Sequence, residues 1–582
     1  MIEQEAIDWL RDYQTPDMGP SPTPPTVGLA VYVKGHSSPN DGGGGIFIWS
    51  RNTLYLSIPD NDGTIINPRV STNPYHNQGR WVRQIDGHVN VRYFGALGVV
   101  SPGVDDTDKI QAAIDFAAQN VQNVTITRGN VVYLPNGEYS VRTLVMRNGV
   151  TLLGDSSATT VIRNLEPKEN LDPYLLTIDK VGCQIRIEGI KFLGDRKKED
   201  ASIKGCFFFT GGIWNSNFKD VAIYQFNGHC IYLQGGDTRD PEYKLTNQFT
   251  VFENVRAVRN GVKDMNSLRI TGSAGQLTFL NCNFDAYTRI WEGIRENVLP
   301  GINVYIKGYE TYHYPAVLQF LNSTFQLSQY AVYIDGADTI SLDTCWFEFN
   351  EISIHVANSR SINVLNSRFS SGASFSETIP MGTGRCIVSN NSQMNVQNNF
   401  VVEPRANKPG FTFLSVDTPE RLGTNLSGNY YEKNSLSFSY GVLADPGTIG
   451  STNYNIQVDT TTTMYYTDPV AGGLTYYIRN FIDMGGNKAA YVTGSTDIVK
   501  VITSSVNAGE YLYIRAKDHP ITFDNTGNIF MSFKDKLDIK PGECAVFIRV
   551  DTYVMNPDTS PDNYNLGVPF RENYNLVSVM VY

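Results

Sequence analysis

The sequence predicts an all-β protein built on a right-handed parallel β-helix, a single-stranded solenoid with a small N-terminal appendage and a C-terminal β-domain. Three observations carry that expectation. The pattern apolar-x-Asn-small-x-Phe recurs at Phe279–Phe284, Phe320–Phe325 and Val364–Phe369, with Leu342–Phe347 placing Thr344 in the Asn column. Ile213–Phe218 and Phe252–Ala257 align with it through Asn215 and Asn254, and Ile187–Phe192 fits loosely with Gly189 in that column. A second pattern precedes each copy, at Tyr232–Gly235, Arg269–Gly272, Tyr305–Gly308, Tyr333–Gly336 and His355–Asn358. Each ends a short strand on Gly or Asn, which tolerate positive φ and so let a strand turn a corner. The base period is about 22 residues, lengthened by insertions, and fixed periods of this length mark stacked repeats.

The elements follow in chain order. Residues 1–88 read as linker and a small strand-rich region, with Pro22 to Pro25 and Gly42 to Gly45 in loops. The β-helix spans 89–405. Its open end is covered by an amphipathic helix that carries Ile110, Ala113, Ile114 and Ala117 after an acidic cap at Asp105-Asp106-Thr107. Strand-like Val131–Leu134 and Tyr139–Val141 follow, and Val150–Gly154 begins the regular stacking. Residues 406–450 are a transition, and 451–582 form a C-terminal β-sandwich-like domain of dispersed strands such as Tyr511–Ile514 and Val546–Val550.

Composition narrows the function. The 582 residues are 41% hydrophobic, 12% aromatic and 18% charged, with a net charge of −11. Such a surface repels polyphosphate, so no nucleic-acid partner is expected. No apolar run approaches the ~18 residues of a membrane span, so no membrane insertion is expected. Met1 to Glu5 is acidic and lacks the basic start of a secretory signal, so no such signal is expected. Seven dispersed Cys without a CxxC pair read as reduced packing residues. With no phosphate-cradling Gly loop, no His-Glu-x-x-His and no Asp-rich calcium spacing, neither a cofactor nor a metal is expected.

Asn90 to Ala96, then Gly103 to Asp108 with Ile110 to Ala113, resemble the opening segment of pectate-lyase-superfamily β-helix proteins. Tyr133 to Tyr139 and Val150 to Gly154 extend that resemblance, which covers residues 85–405. Gly42 to Ile46, Gly79 to Val82 and the C-terminal β-domain resemble bacteriophage tailspikes that degrade host surface polysaccharide. The resemblance implies a homotrimer on the virion tail, acting extracellularly at the host surface with other phage tail proteins as partners. It also implies a C-terminal domain used for trimerisation or glycan binding. The superfamily includes hydrolases, lyases and epimerases, so the resemblance leaves the reaction open.

A regular solenoid wall is flat, so chemistry is expected where insertions break it. Loop A (residues 236–250) carries Asp237 and Asp240, loop B (285–301) carries Tyr287, Trp291 and Glu292, and loop C (309–316) carries Glu310, Tyr312 and His313. Loops A and C leave from the Gly corner and loop B from the Phe corner, which walls a groove over the strands around Phe279–Phe284 and Phe320–Phe325. Its aromatic rings suit sugar stacking and its polar groups suit sugar hydroxyls. The position after the Phe column reads Lys219, Val258, Asp285, Gln326, Glu348 and Ser370. Asp285 and Glu348 are thus two coils apart, roughly 9.6 Å between backbones, near the ~6.5–9.5 Å between carboxyls of inverting glycosidases. Glu310 is a third candidate carboxyl. The expected activity is endo-hydrolysis of a bacterial capsule, exopolysaccharide or O-antigen. β-Elimination with His313 and Tyr312, and a non-catalytic glycan-gripping spike, are the alternatives.

Overall fold

The computed structural model describes residues 2–13, 24–69, 75–122, 130–165, 173–178, 182–194, 205–210, 212–236, 246–259, 265–286, 301–309, 314–370, 385–402, 412–418, 425–427, 430–431, 481–483, 489–492, 498–499, 501–503, 511–516, 520–524, 529–530, 536–541, 543–552 and 571–580. Two compact units, Met1–Val332 and Tyr333–Tyr582, make up the chain.

The first unit begins with a five-stranded sheet in the order Ile2–Gln4, Ala30–Val33, Gly45–Ser50, Arg80–Arg83, Ile65–Ile66. Alternation along Gly45–Ser50 turns Phe47 and Trp49 inward, where Trp49 meets Trp81 edge-on at 5.3 Å between ring centroids. Arg83 joins this sheet to the solenoid. Its buried guanidinium donates to the carbonyls of Gly43, Gly44 and Gly63, each at 2.8 Å. It also lies over the rings of Phe47 and Tyr93, 4.4 and 4.3 Å from the centroids. Burial pulls its pKa down to about 10, so the charge persists at neutral pH. Tyr93 belongs to the 3-10 turn Val91–Phe94, which opens the solenoid.

The expected helix is present as Thr107–Gln122, with Ile110, Ala113, Ile114 and Ala117 fully buried beneath it. The two aspartates divide the work. Asp105 accepts from the Thr107 N–H at 3.0 Å and pairs with Arg142 at 2.8 Å. Asp106 accepts instead from the Leu97 N–H at 2.9 Å, and burial raises its pKa.

Each coil of the first unit contributes one strand to each of three parallel ladders. The first runs through Val131–Leu134, Thr151–Gly154, Arg186–Glu188, Asn217–Lys219, Asn247–Glu253, Ala274–Leu280 and Pro315–Leu321. The second runs through Lys191–Leu193, Ala222–Tyr224, Arg256–Arg259, Asn283–Ala286 and Thr324–Asp335. The third runs through Tyr174–Ile178, Gly205–Thr210, Ile231–Gln234, Leu268–Thr271 and Ile302–Lys307. This is the parallel β-helix the repeat predicts. Inside it Phe218, Phe252, Phe279 and Phe320 stack at successive centroid separations of 4.6, 4.8 and 4.6 Å. That spacing is the ~4.8 Å rise between paired strands.

The corners are made by residues in the left-handed region. Between the first and second ladders these are Gly189, Asp220, Asn254, Asn281 and Asn322. The register corrects one expectation: Asp220, not Asn215, is the neighbour of Asn254, whose side chain donates to its carboxylate at 3.0 Å. Asn215 is left-handed too, but at the start of the first ladder, beside Phe249. Phe218 is accordingly level with Phe252, and Tyr224 rather than Lys219 is level with Val258. At the Gly corner Gly272 has φ 72° as expected, whereas Gly235 is required by close approach, since a Cβ there would lie 1.9 Å from the Ser273 carbonyl oxygen.

The second unit repeats the same construction. Asp338–Asp343, Arg360–Leu365, Met394–Gln397 and Asn425–Ser427 form one parallel ladder, and Trp346–Ala357, Arg368–Ser370, Phe400–Val402 and Tyr430–Tyr431 form another. Its corners are Thr344, Asn366 and Asn398, and Phe347 stacks on Phe369 at 4.8 Å. Parallel pairing therefore continues past residue 405, with Tyr430 and Tyr431 in positions where the Phe motif has disappeared. Farther on the pairing changes character: Tyr511–Ala516, Cys544–Thr552 and Arg571–Met580 pair antiparallel. Cys206, Cys230, Cys282, Cys345, Cys386 and Cys544 are buried. Among the described residues no helix is long and apolar enough to cross a membrane.

The corner makes a direct prediction. Valine in the left-handed region is strained where glycine is not, so Asn281→Val should cost about 1–2 kcal/mol more than Asn281→Gly. Urea unfolding of the two variants measures the difference, and equal stabilities would show that φ at residue 281 is not what shapes the coil.

Candidate functional site

Asp285 is carried by the strand Asn283–Ala286, where Phe284 and Ala286 point inward and Asp285 faces out, half-buried. Phe284 fixes that orientation through its stack with Phe325 at 5.6 Å and its edge contacts to Phe279 and Phe320. Val258 and Gln326 are the register neighbours of Asp285. The backbone here is held from within. Ser267 donates its hydroxyl to the Asp285 carbonyl at 2.7 Å, and the Asn303 amide donates to the carbonyls of Phe284 and Gln326 at 3.0 and 2.5 Å. Ser267 and Asn303 are fully buried. Carbonyls turned away from the ladder at a corner need such partners, because unsatisfied buried ones are costly.

Glu348 lies in the second unit, on the strand Trp346–Ala357, and the same alternation turns Phe347 in and Trp346 and Glu348 out. Ser370 is level with Glu348, and Arg368 with Trp346. The Arg368 guanidinium sits between two rings, 5.6 Å from the Trp346 centroid and 5.8 Å from that of Phe400. Trp346 is 43% exposed. Burial raises the Glu348 pKa, and the nearby Arg368 charge opposes that rise without cancelling it. A carboxyl that keeps its proton to higher pH is suited to donate it to a leaving group.

Asp285 falls in the first unit and Glu348 in the second, so the structure describes the setting of each separately. Glu310, Asp237, Asp240, Tyr287, Trp291, Glu292, Tyr312 and His313 lie outside the described residues. The strands that border their segments are described. Ile231–Gln234, Leu268–Thr271 and Ile302–Lys307 are in register, as are Asn247–Glu253, Ala274–Leu280 and Pro315–Leu321. Segments 237–245 and 310–313 therefore leave from equivalent corners on either side of the tight turn at Gly272. Segment 287–300 leaves from the far end of the strand that bears Asp285. Among the described residues no group of three or more His, Cys, Asp and Glu side chains forms a metal centre.

Trp346 and Arg368 were not among the sequence-based candidates. Trp346 stands in a variable position of the recurring pattern, which hid it, yet it is two residues before Glu348 and so on the same outward face. With six Trp in the chain, one at an outward repeat position was a legible signal.

Two family models match the chain. The phage tail protein small four-stranded β-sheet domain covers residues 21–86, a span that holds four of the five N-terminal strands, from Ala30–Val33 to Arg80–Arg83. The rhamnogalacturonase A/epimerase, pectate lyase-like family covers residues 88–171. No curated protein matches in sequence. Among solved structures the chain is similar to the enzymatically active domain of a bacteriophage tailspike protein 2, at 13% identity and a TM-score of 0.51, covering 94% of this chain and 78% of that one. It is also similar to a full-length tailspike protein 2 from an Escherichia coli bacteriophage, at 14% identity and a TM-score of 0.50 over 73% of this chain. It spans about half that protein's length, 51%. The chain thus joins a phage-tail β-sheet domain to a pectate-lyase-like parallel β-helix, the fold found in tailspikes.

The raised pKa of Glu348 has a measurable consequence. The folded state holds a proton that the unfolded state has released, so this contribution to stability is complete below the unfolded-chain value of about 4.3. It is lost as pH rises through the folded value. Glu348→Gln never ionises, so its urea midpoint should match the wild type at about pH 4 and move ahead of it by about pH 7. A gap that instead favours the wild type as pH rises would show that the ionised carboxylate is the stabilised form.

Proposed function

We propose that the chain is a tailspike depolymerase, which binds a host bacterial surface polysaccharide and cleaves it by glycoside hydrolysis. The observation that carries this reading is Glu348, an outward carboxyl with a pKa raised by burial, set beside an exposed indole and a guanidinium on the wall of a β-helix. Glu348 is the general acid that protonates the leaving glycosidic oxygen. Asp285, paired with it by the sequence register, is the base or nucleophile, and Glu310 is the third carboxyl available to the reaction. Trp346 offers a ring face to a sugar. Asp237, Asp240, Tyr287, Trp291, Glu292, Tyr312 and His313 bind the chain from the inserted segments. The chemistry uses carboxyl groups alone and needs no cofactor. The N-terminal domain attaches the protein to other tail proteins, the assembled spike is a homotrimer, and the enzyme acts outside the host cell from the virion tail.

Carboxyl-to-amide changes test these roles. General acid–base catalysis is worth about 10²–10⁴-fold, so Asp285→Asn and Glu348→Gln should each lower polysaccharide turnover by that order while glycan binding is retained. Near-normal turnover in both variants would remove the pair. The products discriminate the reaction: new reducing ends without an unsaturated uronate are expected, and ultraviolet absorbance from such a uronate would mean β-elimination.

A further inference from the structure

On one stretch of the first unit's outer wall, left-handed positions carry exposed apolar side chains. Phe249, Gln276 and Val317 occupy equivalent positions in three consecutive coils, since Gln248, Gly275 and Ala316 are level before them and Thr250, Leu277 and Leu318 level after. All three are left-handed, with φ of 52°, 54° and 56°. The same column in the two preceding coils holds Gln184 and Asn215. Polar residues tolerate that conformation better than Phe or a β-branched Val. Yet Phe249 and Val317 gain no burial in exchange, being 49% and 41% exposed. Tyr314, at the head of the same strand, is 40% exposed. Local rules broken without a packing gain point to function.

The surroundings have a definite shape and chemistry. Gly275 lies between Gln248 and Ala316, and a Cβ added there would meet nothing nearer than 3.6 Å, so the position presents bare backbone that a side chain could cover without a clash. Trp214 closes one side, tied down by its indole N–H donating to the Thr246 carbonyl at 2.6 Å. Thr246 and Ser273 share a hydroxyl contact of 2.8 Å at the upper rim. Among the described residues the side chains of Gln248 and Gln276 have no hydrogen-bond partner and the rings of Phe249 and Tyr314 have no ring partner. No residue named in the strip carries a charge.

We infer that this strip, centred on Gly275 and edged by Phe249, Gln276, Tyr314 and Val317, is a binding subsite for neutral pyranose residues of a polysaccharide. Sugar rings present apolar C–H faces and equatorial hydroxyls together, and the strip offers exposed rings and unpaired amides together. A second copy of this chain fits less well: three strands ~4.8 Å apart and about five residues of ~3.3 Å each present roughly 240 Å², far short of the ~800 Å² per partner that a stable protein interface buries. The inference rests on the depolymerase reading for the presence of a glycan and extends it to a stretch of wall outside the inserted segments.

The test uses full-length wild type, Phe249→Asn and Gly275→Leu on an array of purified bacterial capsular polysaccharides and O-antigens, with thermal melting and light scattering of each protein. The wild type should bind at least one glycan, and both variants should bind it roughly tenfold more weakly or worse. Phe249→Asn should also melt at or above the wild-type temperature, because Asn relieves the left-handed strain while removing the ring. Unchanged affinity in both variants would overturn the subsite and leave the depolymerase reading standing. A wild type that binds no glycan overturns both. Variants that keep their affinity but change molecular mass would place a second copy, not a sugar, on the strip.

Discussion

A chain that winds the same way many times must turn at every corner without surrendering its hydrogen bonds to the next coil. In this protein a left-handed residue does that repeatedly. The N–H groups of Asp220, Asn254 and Asn281 donate to the carbonyls of Glu253, Leu280 and Leu321 in the following coil, at 3.0, 2.9 and 3.0 Å. The turn is therefore itself a rung of the ladder. Because each corner is level with the next, the strands between corners are level too, and the Phe column stacks ring on ring. Asn suits the position twice over: it tolerates positive φ, and its amide bonds laterally, as Asn322 does to Asn281 at 2.6 Å.

That constraint separates the tasks of neighbouring residues. Along Asn247–Glu253, Ala274–Leu280 and Pro315–Leu321 the inward positions are occupied by Phe252, Phe279 and Phe320 and are fully buried. The outward positions between them add little to the core, so they are free to vary. Asp285 beside Phe284, and Glu348 beside Phe347, are instances of the same alternation. A functional side chain on such a wall is aimed by its inward neighbour, and its backbone is steadied by buried donors such as Ser267 and Asn303. Glu348 shows how burial on such a wall raises the pKa of a carboxyl against the opposing charge of Arg368.

The core was readable from sequence because stacking demands the same residue type at each level, and Phe252, Phe279 and Phe320 announce it. The Gly and Asn corners were readable for the same reason. The register slipped once, at Asn215, because the chain uses left-handed residues at several corners and sequence alone cannot tell one Asn corner from another. Asp220 does the same work with a different letter. The outward residues were harder. Asp285 and Glu348 were found by counting from the Phe column, whereas Trp346, Arg368 and Phe249 sit in positions the repeat leaves unconstrained. Their significance lies in exposure and in neighbours from adjacent coils, which no single stretch of sequence displays. The C-terminal strands share no column with the solenoid, and only their β-rich composition marked them.

In this solenoid inward columns carry the fold, and the proposed glycan chemistry belongs to the outward rows. A paired substitution scan tests that division most directly, changing each position of Asn247–Glu253, Ala274–Leu280 and Pro315–Leu321 to Ala and scoring thermal melting and polysaccharide cleavage for every variant. Two populations of variants are expected. Changes at Phe252, Phe279 and Phe320 should lower the melting temperature, whereas changes at outward positions should lower cleavage and leave melting intact. A scan in which cleavage falls only where melting falls would contradict it.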